Sequence, residues 1–280
     1  MKGSLRQILS AEHIGKTYDS HSVLKDISLG IGRGEAVAFV GENGCGKSTL
    51  IRILCGLTRP SKGRVSMSPD ISLVLVPDRF DKVNMTIPRF MSHMLAMDGA
   101  KPEAAEPYYK AFFLDGMLDT PMKYLSKGTL QKAAVIQALA ASRDIMFLDE
   151  PLSGQDAASQ SHFAHELKKR KAAGVAIVMA CHEPLLIEEL ADTIYQIKDG
   201  MLMDGESYVF ERGKSRCVFL AELGGADISD KLKAAGAETT ALGRLTRIEA
   251  DRSKARELFV LLTAHENVRI VKYDETEDVC

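Results

Sequence analysis

The stretch Gly41-Glu-Asn-Gly-Cys-Gly-Lys47-Ser48 decides the fold of this 280-residue chain. It matches the pattern G-x-x-x-x-G-K-[ST], in which a glycine-rich turn joins a strand to a helix. The apolar run at residues 36–40 precedes it and predicts a short strand buried on both faces. Residues 48–57 follow with helical spacing of apolar side chains, and Pro60 comes after them. The motif therefore stands in the strand-loop-helix context that a phosphate-binding loop requires.

The loop predicts a site for the phosphates of a nucleotide. Glycines let the backbone aim its N–H groups at phosphate oxygens, and the helix N-terminus adds partial positive charge. Lys47 is expected to reach the β- and γ-phosphates as a catalytic residue, and Ser48 to hold Mg²⁺. The predicted nucleotide-binding residues of this segment are Gly41, Glu42, Asn43, Gly44, Cys45, Gly46, Lys47, Ser48 and Thr49.

A second acidic element follows another apolar run. Residues 145–148 predict a buried strand that ends at Asp149 and Glu150. In open α/β sheets ligands bind at the carboxyl ends of the strands, which is where these two carboxylates fall. We expect Asp149 to act on Mg²⁺ and on the nucleotide, and Glu150 to polarise an attacking water as general base.

Strands alternate with helices along most of the chain, which indicates an α/β fold with a largely parallel sheet. The pattern predicts a P-loop domain at 1–211, with a helical subdomain at about 84–142. It predicts a small α/β domain at 212–280, with strands near 216–220, 245–249 and 268–271 and helices near 228–235 and 253–264. A further strand near 239–242 is the remaining alternative for that domain.

Composition excludes several classes of function. There are 36 Lys and Arg residues against 38 Asp and Glu residues, so the net charge is −2 and gives no global attraction to nucleic acid. No run approaches the roughly 20 apolar residues of a spanning helix, and the N-terminus does not resemble a secretory signal. The five cysteines are scattered, which is typical of reduced, cytoplasmic thiols.

Further motifs give a resemblance to the ABC-transporter ATPases over about residues 5–210. Leu125-Ser-Lys-Gly-Thr129 resembles their LSGGQ signature, and Ser153-Gly-Gln-Asp156 resembles their D-loop. Cys181-His182-Glu183 stands at the position of the switch histidine. Tyr18 resembles the aromatic A-loop residue that stacks on adenine. Val23 follows it, and we count Val23 among the ATP-binding residues. The resemblance implies an ABC ATPase cassette with ATP and Mg²⁺ as its ligands.

The resemblance also implies a mechanism. Two cassettes would meet head to tail around two ATP molecules, so that Ser126 and Gly128 of one contact the γ-phosphate held by Lys47 of the other. Glu150 would be the general base, and His182 would position the γ-phosphate and the attacking water. Binding of ATP would close the dimer and hydrolysis would reopen it.

Four residues depart from the family pattern. Lys127 replaces the first glycine of the signature and Thr129 its final glutamine. Gln155 replaces an apolar residue of the D-loop. Asp78 stands where the family has the Q-loop glutamine, and we count it as an ATP and Mg²⁺ contact that adds negative charge near the triphosphate.

The implied partners are a separate integral membrane permease and a second ATPase subunit, as a homodimer, with no nucleic acid. The subunit would be cytoplasmic and peripheral on the inner face of a bacterial membrane. The C-terminal extension resembles that of export-type subunits, which favours an exporter. A soluble non-transport ABC ATPase, an importer subunit and a binding protein with a degenerate site are the alternatives.

Overall fold

The computed structural model describes residues 6–181, 183–205, 216–225, 228–251, 254–265 and 267–276. Contacts divide the chain into two compact units, Met1–Tyr208 and Val209–Cys280, and each is described by itself. The boundary predicted between residues 211 and 212 lies outside the described residues.

The helices and strands of the first unit, in chain order, are β1 (Gln7–Tyr18), β2 (His21–Gly32), β3 (Ala36–Val40), α1 (Lys47–Leu54), β4 (Lys62–Met67), β5 (Leu73–Val76), α2 (Ile87–Met97), α3 (Glu106–Ala111), α4 (Lys127–Ala141), β6 (Ile145–Asp149), α5 (Ala157–Ala172), β7 (Ala176–Ala180), α6 (Pro184–Leu190), β8 (Thr193–Lys198) and β9 (Met201–Asp204). Those of the second unit are β10 (Arg216–Glu222), α7 (Ser229–Ala234), β11 (Glu238–Leu242), β12 (Leu245–Asp251), α8 (Ala255–Thr263) and β13 (Arg269–Thr276).

The main sheet of the first unit has six strands in the order β5-β6-β7-β3-β8-β9. The first five are parallel and β9 pairs antiparallel with β8 at the edge. Every residue of β3, β6 and β7 is buried, which explains why these strands are apolar runs without alternation. The order puts β7 between the strand that enters the phosphate loop and the strand that ends at Asp149.

A smaller antiparallel sheet has the order β2-β1-β4. Its β1–β2 hairpin turns at Asp19, whose φ of 51° is the left-handed conformation of a tight turn. One core joins the two sheets and α1, with Leu24, Phe39, Ile51 and Phe147 among its buried members. This core fixes the direction in which α1 leaves the phosphate loop.

The predicted helical subdomain contains α2, α3 and α4, with three short 3₁₀ turns at Pro102–Ala105, Asp115–Met117 and Met122–Tyr124. Prolines at the starts of α2, the first 3₁₀ turn and α3 explain why this part of the segment is broken into short helices. In α4 every residue after Lys127 is buried. A helix enclosed on all sides needs no polar face, and this explains the run of small and apolar side chains.

The second unit is a βαββαβ arrangement with the sheet order β11-β12-β10-β13 and antiparallel pairing throughout. That order is ferredoxin-like. Its core holds Cys217, Phe219, Ile248, Leu258 and Leu262. The strand left open near 239–242 is present as β11.

Candidate functional site

The phosphate loop takes its shape from three glycines with positive φ. Gly41, Gly44 and Gly46 have φ of 141°, 81° and 113°, a region that side chains with a Cβ rarely adopt. A Cβ on Gly46 would lie 2.8 Å from Leu24 Cδ2 and 3.2 Å from Val23 Cγ1. The loop therefore needs glycine at this position both for its backbone conformation and for its approach to β2.

Lys47, the first residue of α1, is folded back over the loop. Its Nζ donates to the carbonyl oxygens of Gly41 at 2.7 Å and Glu42 at 3.1 Å. The residue is only 7% exposed. These bonds hold the ammonium group at the concave side of the loop, where a triphosphate would replace the two carbonyls as its partner.

Ser48 and Asp149 join the phosphate loop to the acidic strand end. Ser48 Oγ donates to Asp149 Oδ1 at 2.8 Å across 101 residues of sequence. Burial raises the pKa of Asp149, against the hydrogen bond from Ser48, and the neighbouring Glu150 charge adds to the rise. A hydroxyl hydrogen-bonded to a buried carboxylate supplies two oxygen ligands suited to Mg²⁺, which prefers oxygen.

Glu150 follows Asp149 at the end of β6 and has a φ of 47°, in the left-handed region. Its backbone N–H donates to Ala180 O at the end of β7, 2.8 Å away. This bond continues the pairing of β6 with β7 by one residue while the positive φ turns the chain. Glu150 is half-buried and lines the same cavity as Lys47 and Ser48.

A cavity of about 470 Å³ brings together eight of the predicted residues. It is lined by Asn43, Gly44, Gly46, Lys47, Ser48, Thr49, Asp78, Arg79, Glu150 and Ser153. Arg79 and Ser153 were not among the predicted binding residues. Arg79 follows Asp78 directly, and Ser153 is the first residue of the D-loop motif. These positions in the sequence were the signals from which the two lining residues could have been predicted.

Asp78 lies between two cations. Lys127 Nζ approaches Asp78 Oδ1 at 3.4 Å, and Arg79 Nε lies 3.7 Å from Asp78 Oδ2. Lys127 Nζ also donates to Ser153 Oγ at 3.0 Å. Two of the departures from the family pattern, Asp78 and Lys127, are therefore in contact with each other.

The signature segment lies outside the residues that line the cavity. Ser126 is the N-cap of α4, and its Oγ accepts from the Thr129 N–H at 3.1 Å. A Cβ on Gly128 would meet Gly154 O at 2.0 Å, so the glycine is required by the D-loop of the same chain. Gln155, another of the four departures, is buried and donates to Pro151 O at 2.8 Å.

The remaining predicted residues that the structure describes are not among those that line the cavity. Val23 packs against Gly46, whereas Tyr18 is half exposed with the Lys16 ammonium 4.7 Å from its ring centroid. The stacking of Tyr18 on adenine stays a prediction. His182 lies outside the described residues, so its role also stays a prediction. Gly41, Glu42 and Cys45 shape the loop behind the cavity; Glu42 O and Cys45 N are bonded at 3.3 Å.

Comparisons with known proteins show the family of the chain. The family described as ABC transporter matches residues 24–153. The chain is 31% identical over 172 residues to the cytochrome c biogenesis ATP-binding export protein CcmA of Sphingopyxis alaskensis, covering 61% of this chain and 88% of that protein. It is 30% identical over 183 residues to the zinc import ATP-binding protein ZnuC of Pseudomonas aeruginosa, covering 65% and 68%. Against ZnuC of Rhizobium etli the identity is 27% over 191 residues, and the match spans 68% of this chain and 61% of that relative's length.

Solved structures share the fold. An ATP-binding subunit of an ABC transporter aligns with a TM-score of 0.64 at 24% identity, covering 70% of this chain and 88% of that one. A dimeric ATP-binding cassette in a post-hydrolysis state, bound to ADP and Pi, aligns with a TM-score of 0.63 at 24% identity, covering 70% and 96%. Among the described helices of this chain, none combines the length and hydropathy needed to span a bilayer. Motifs, fold and relatives agree, and the chain belongs to the ATP-binding subunits of ABC transporters, a family of ATP hydrolases.

Proposed function

We propose that this chain binds Mg²⁺-ATP in the 470 Å³ cavity and hydrolyses it between two head-to-tail copies. The observation that carries the proposal is the Ser48–Asp149 hydrogen bond, because it joins the phosphate loop to the acidic strand end. Lys47 and Glu150 line the same cavity from opposite elements. A cation for phosphate, oxygen ligands for a metal and a candidate base thus surround one space.

Each of these groups has a part in the proposed reaction. Lys47 would exchange its carbonyl partners for β- and γ-phosphate oxygens and stabilise charge on the leaving group. Glu150 would orient a water for attack on the γ-phosphorus and take its proton. Ser48 and Asp149 would hold Mg²⁺, with Asp78 near it, and the bound ion would neutralise phosphate charge.

The dimer accounts for the signature residues. Ser126 is exposed at the N-terminus of α4 and, like Gly128, is not among the described residues that line the chain's own cavity. In a head-to-tail pair this helix N-terminus would face the γ-phosphate held by the other copy. The dimeric ATP-binding cassette that shares the fold supports the proposal of a dimer.

The output of the cycle would be passed to a separate membrane permease, with this subunit peripheral on the cytoplasmic face. Export remains the predicted direction of transport, because the C-terminal extension resembles that of export-type subunits. The relatives are named for both directions, zinc import for ZnuC and export for CcmA. Detergent co-purification of the permease, followed by transport into or out of vesicles that contain the complex, would decide between importer and exporter. Failure to recover any membrane protein would favour the non-transport ATPase.

Phosphate release by the purified chain and by Glu150→Gln tests the hydrolysis. We expect Glu150→Gln to lower turnover by about 100-fold or more, because it loses the base while the neighbouring Asp149 and Ser48 remain. We also expect it to form an ATP-dependent dimer in light scattering. Equal turnover in the two proteins would remove Glu150 as the base. A variant that stays monomeric with ATP would contradict the head-to-tail model.

A further inference from the structure

The side chain of Lys127, in the signature segment, contacts two residues that line the proposed ATP cavity of its own chain. Its Nζ lies 3.4 Å from Asp78 Oδ1 and 3.0 Å from Ser153 Oγ. Both of these partners line the cavity that holds Lys47. The contacts join residues 49 and 26 positions apart in sequence, so the fold, and not local chain geometry, brings them together.

The charges around the cavity explain why this contact matters. The lining side chains carry two cations, Lys47 and Arg79, and two carboxylates, Asp78 and Glu150. A triphosphate is strongly anionic, so an uncompensated Asp78 would repel it. Arg79 alone is a weak counterion because it is exposed and lies at 3.7 Å.

The backbone beside Asp78 is tied to the same helix. Gln131, one turn along α4 from Lys127, donates its Nε2 to Pro77 O at 2.8 Å. The start of α4 therefore holds Asp78 twice, through the backbone before it and through its carboxylate. The hydrogen bond from Gln131 is buried, whereas the ion pair between Lys127 and Asp78 is half exposed. The ion pair can therefore respond to the charge in the cavity.

We propose that Lys127 is a positioning residue of its own chain's ATP site, which neutralises Asp78 and holds it and Ser153 so that the cavity accepts triphosphate. The proposal rests on the function proposed above. It makes two of the four departures from the family pattern a matched pair, in which the positive charge of Lys127 offsets the negative charge of Asp78. The signature segment would then serve its own nucleotide through Lys127 and the partner's nucleotide through Ser126 and Gly128.

A double-mutant cycle in nucleotide binding tests the pair. Binding of the fluorescent analogue mant-ATP is measured for wild type, Lys127→Ala, Asp78→Asn and the double variant, at concentrations where light scattering shows a monomer. We expect Lys127→Ala to weaken binding by about 2- to 5-fold, the range for a partly exposed ion pair. In the Asp78→Asn background the same change should have almost no effect.

Three further measurements separate charge positioning from a general structural effect. Lys127→Arg should restore binding to within about 2-fold of wild type. The loss in Lys127→Ala should shrink as salt rises from about 0.05 M to about 0.5 M, because screening weakens the repulsion from Asp78. Lys123→Ala, which removes an exposed cation that contacts the Tyr124 ring, is the matched control and should bind as wild type does.

The proposal is overturned if Lys127→Ala weakens binding equally in both backgrounds, since Lys127 would then act on the phosphate directly. It is also overturned if the change has no effect in either. These results are distinct from a failure of the proposed hydrolysis, in which the wild-type chain binds mant-ATP without releasing phosphate from ATP. In that case the double-mutant cycle still measures the interaction between Lys127 and Asp78.

Discussion

The phosphate loop and the signature segment are two glycine-containing turns that each lead into a helix, yet their glycines serve different purposes. In the phosphate loop Gly44 and Gly46 have positive φ, and no side chain among the described residues caps α1. In the signature segment Gly128 does not have a positive φ, and Ser126 caps α4. In the first turn no described side chain caps the N–H groups of α1, so they can face a ligand, whereas in the second Ser126 uses its hydroxyl oxygen within its own chain.

This difference shows that one residue type answers two physical requirements. A glycine needed for φ is replaced at the cost of backbone strain, and a glycine needed for space is replaced at the cost of a steric clash. Gly128 belongs to the second kind, because Gly154 O occupies the position of its missing side chain. A signature glycine can therefore be required before any partner subunit arrives.

The largest effect expected from this comparison is that of Gly128→Ala. The added Cβ would meet a backbone oxygen at 2.0 Å, so we expect a loss of about 2–3 kcal/mol in the free energy of unfolding. Urea unfolding of the monomer measures it. Gly116→Ala is the matched control: its Cβ would meet nothing within 4 Å and its φ is not positive, so we expect a change within about 0.5 kcal/mol.

A Gly128→Ala protein as stable as wild type that fails to dimerise with ATP would break the comparison. The glycine would then serve only the partner's phosphate.

A smaller effect is expected when the cap of α4 is removed. Ser126→Ala deletes the oxygen that accepts from Thr129 N, so stability should fall by about 1 kcal/mol. Ser126→Asp keeps a capping oxygen and should recover most of that loss in the same urea titration. Its added negative charge should still prevent ATP-dependent dimerisation in the Glu150→Gln background, because it would repel the partner's γ-phosphate. Full stability of Ser126→Ala would show that the cap contributes nothing.

The smallest expected effect concerns Asp156, which ties the D-loop to the signature helix. Lys132 and the Ser159 N–H bond its carboxylate and lower its pKa from 3.8 to about 2. Ionised Asp156 therefore stabilises the fold above pH 3.8, and that contribution is lost as pH falls toward 2. Because the side chain is 52% exposed, we expect Asp156→Asn to cost only about 0.5–1 kcal/mol at pH 7.

The pH dependence is the check on Asp156. In urea titrations at neutral pH and near pH 3, the gap between wild type and Asp156→Asn should narrow at the lower pH. A gap that stays constant would show that the lost stability comes from packing or capping and not from charge.

The sequence was sufficient to predict the strands and the loop that build the proposed ATP site. Strands that are buried on both faces consist of apolar runs, so residues 36–40 and 145–148 could be predicted as strands. The structure has them as β3 and as the first four residues of β6. The pattern G-x-x-x-x-G-K-[ST] also contains its own geometry, because the glycines lie where positive φ is needed. These predictions rest on local rules and need no knowledge of distant residues.

The contacts of Asp78 and Lys127 could not be predicted in the same way. Each residue was recognised as a departure from a pattern, but their pairing depends on how β5 and α4 pack, which no local rule gives. The same applies to Gly128, whose requirement comes from Gly154, 26 residues later. The sheet order of β2-β1-β4 and of the ferredoxin-like unit also arises from such long-range pairing.

The folded-back Lys47 has a consequence for how nucleotide would enter. Its ammonium group already has two oxygen partners, so the arrival of a triphosphate is an exchange of ligands on an occupied cation. Such an exchange lowers the net gain in affinity, because the two carbonyl bonds are lost when bonds to phosphate form. An anion would therefore have to compete with two carbonyl oxygens for Lys47, which favours highly charged polyphosphates over weaker anions.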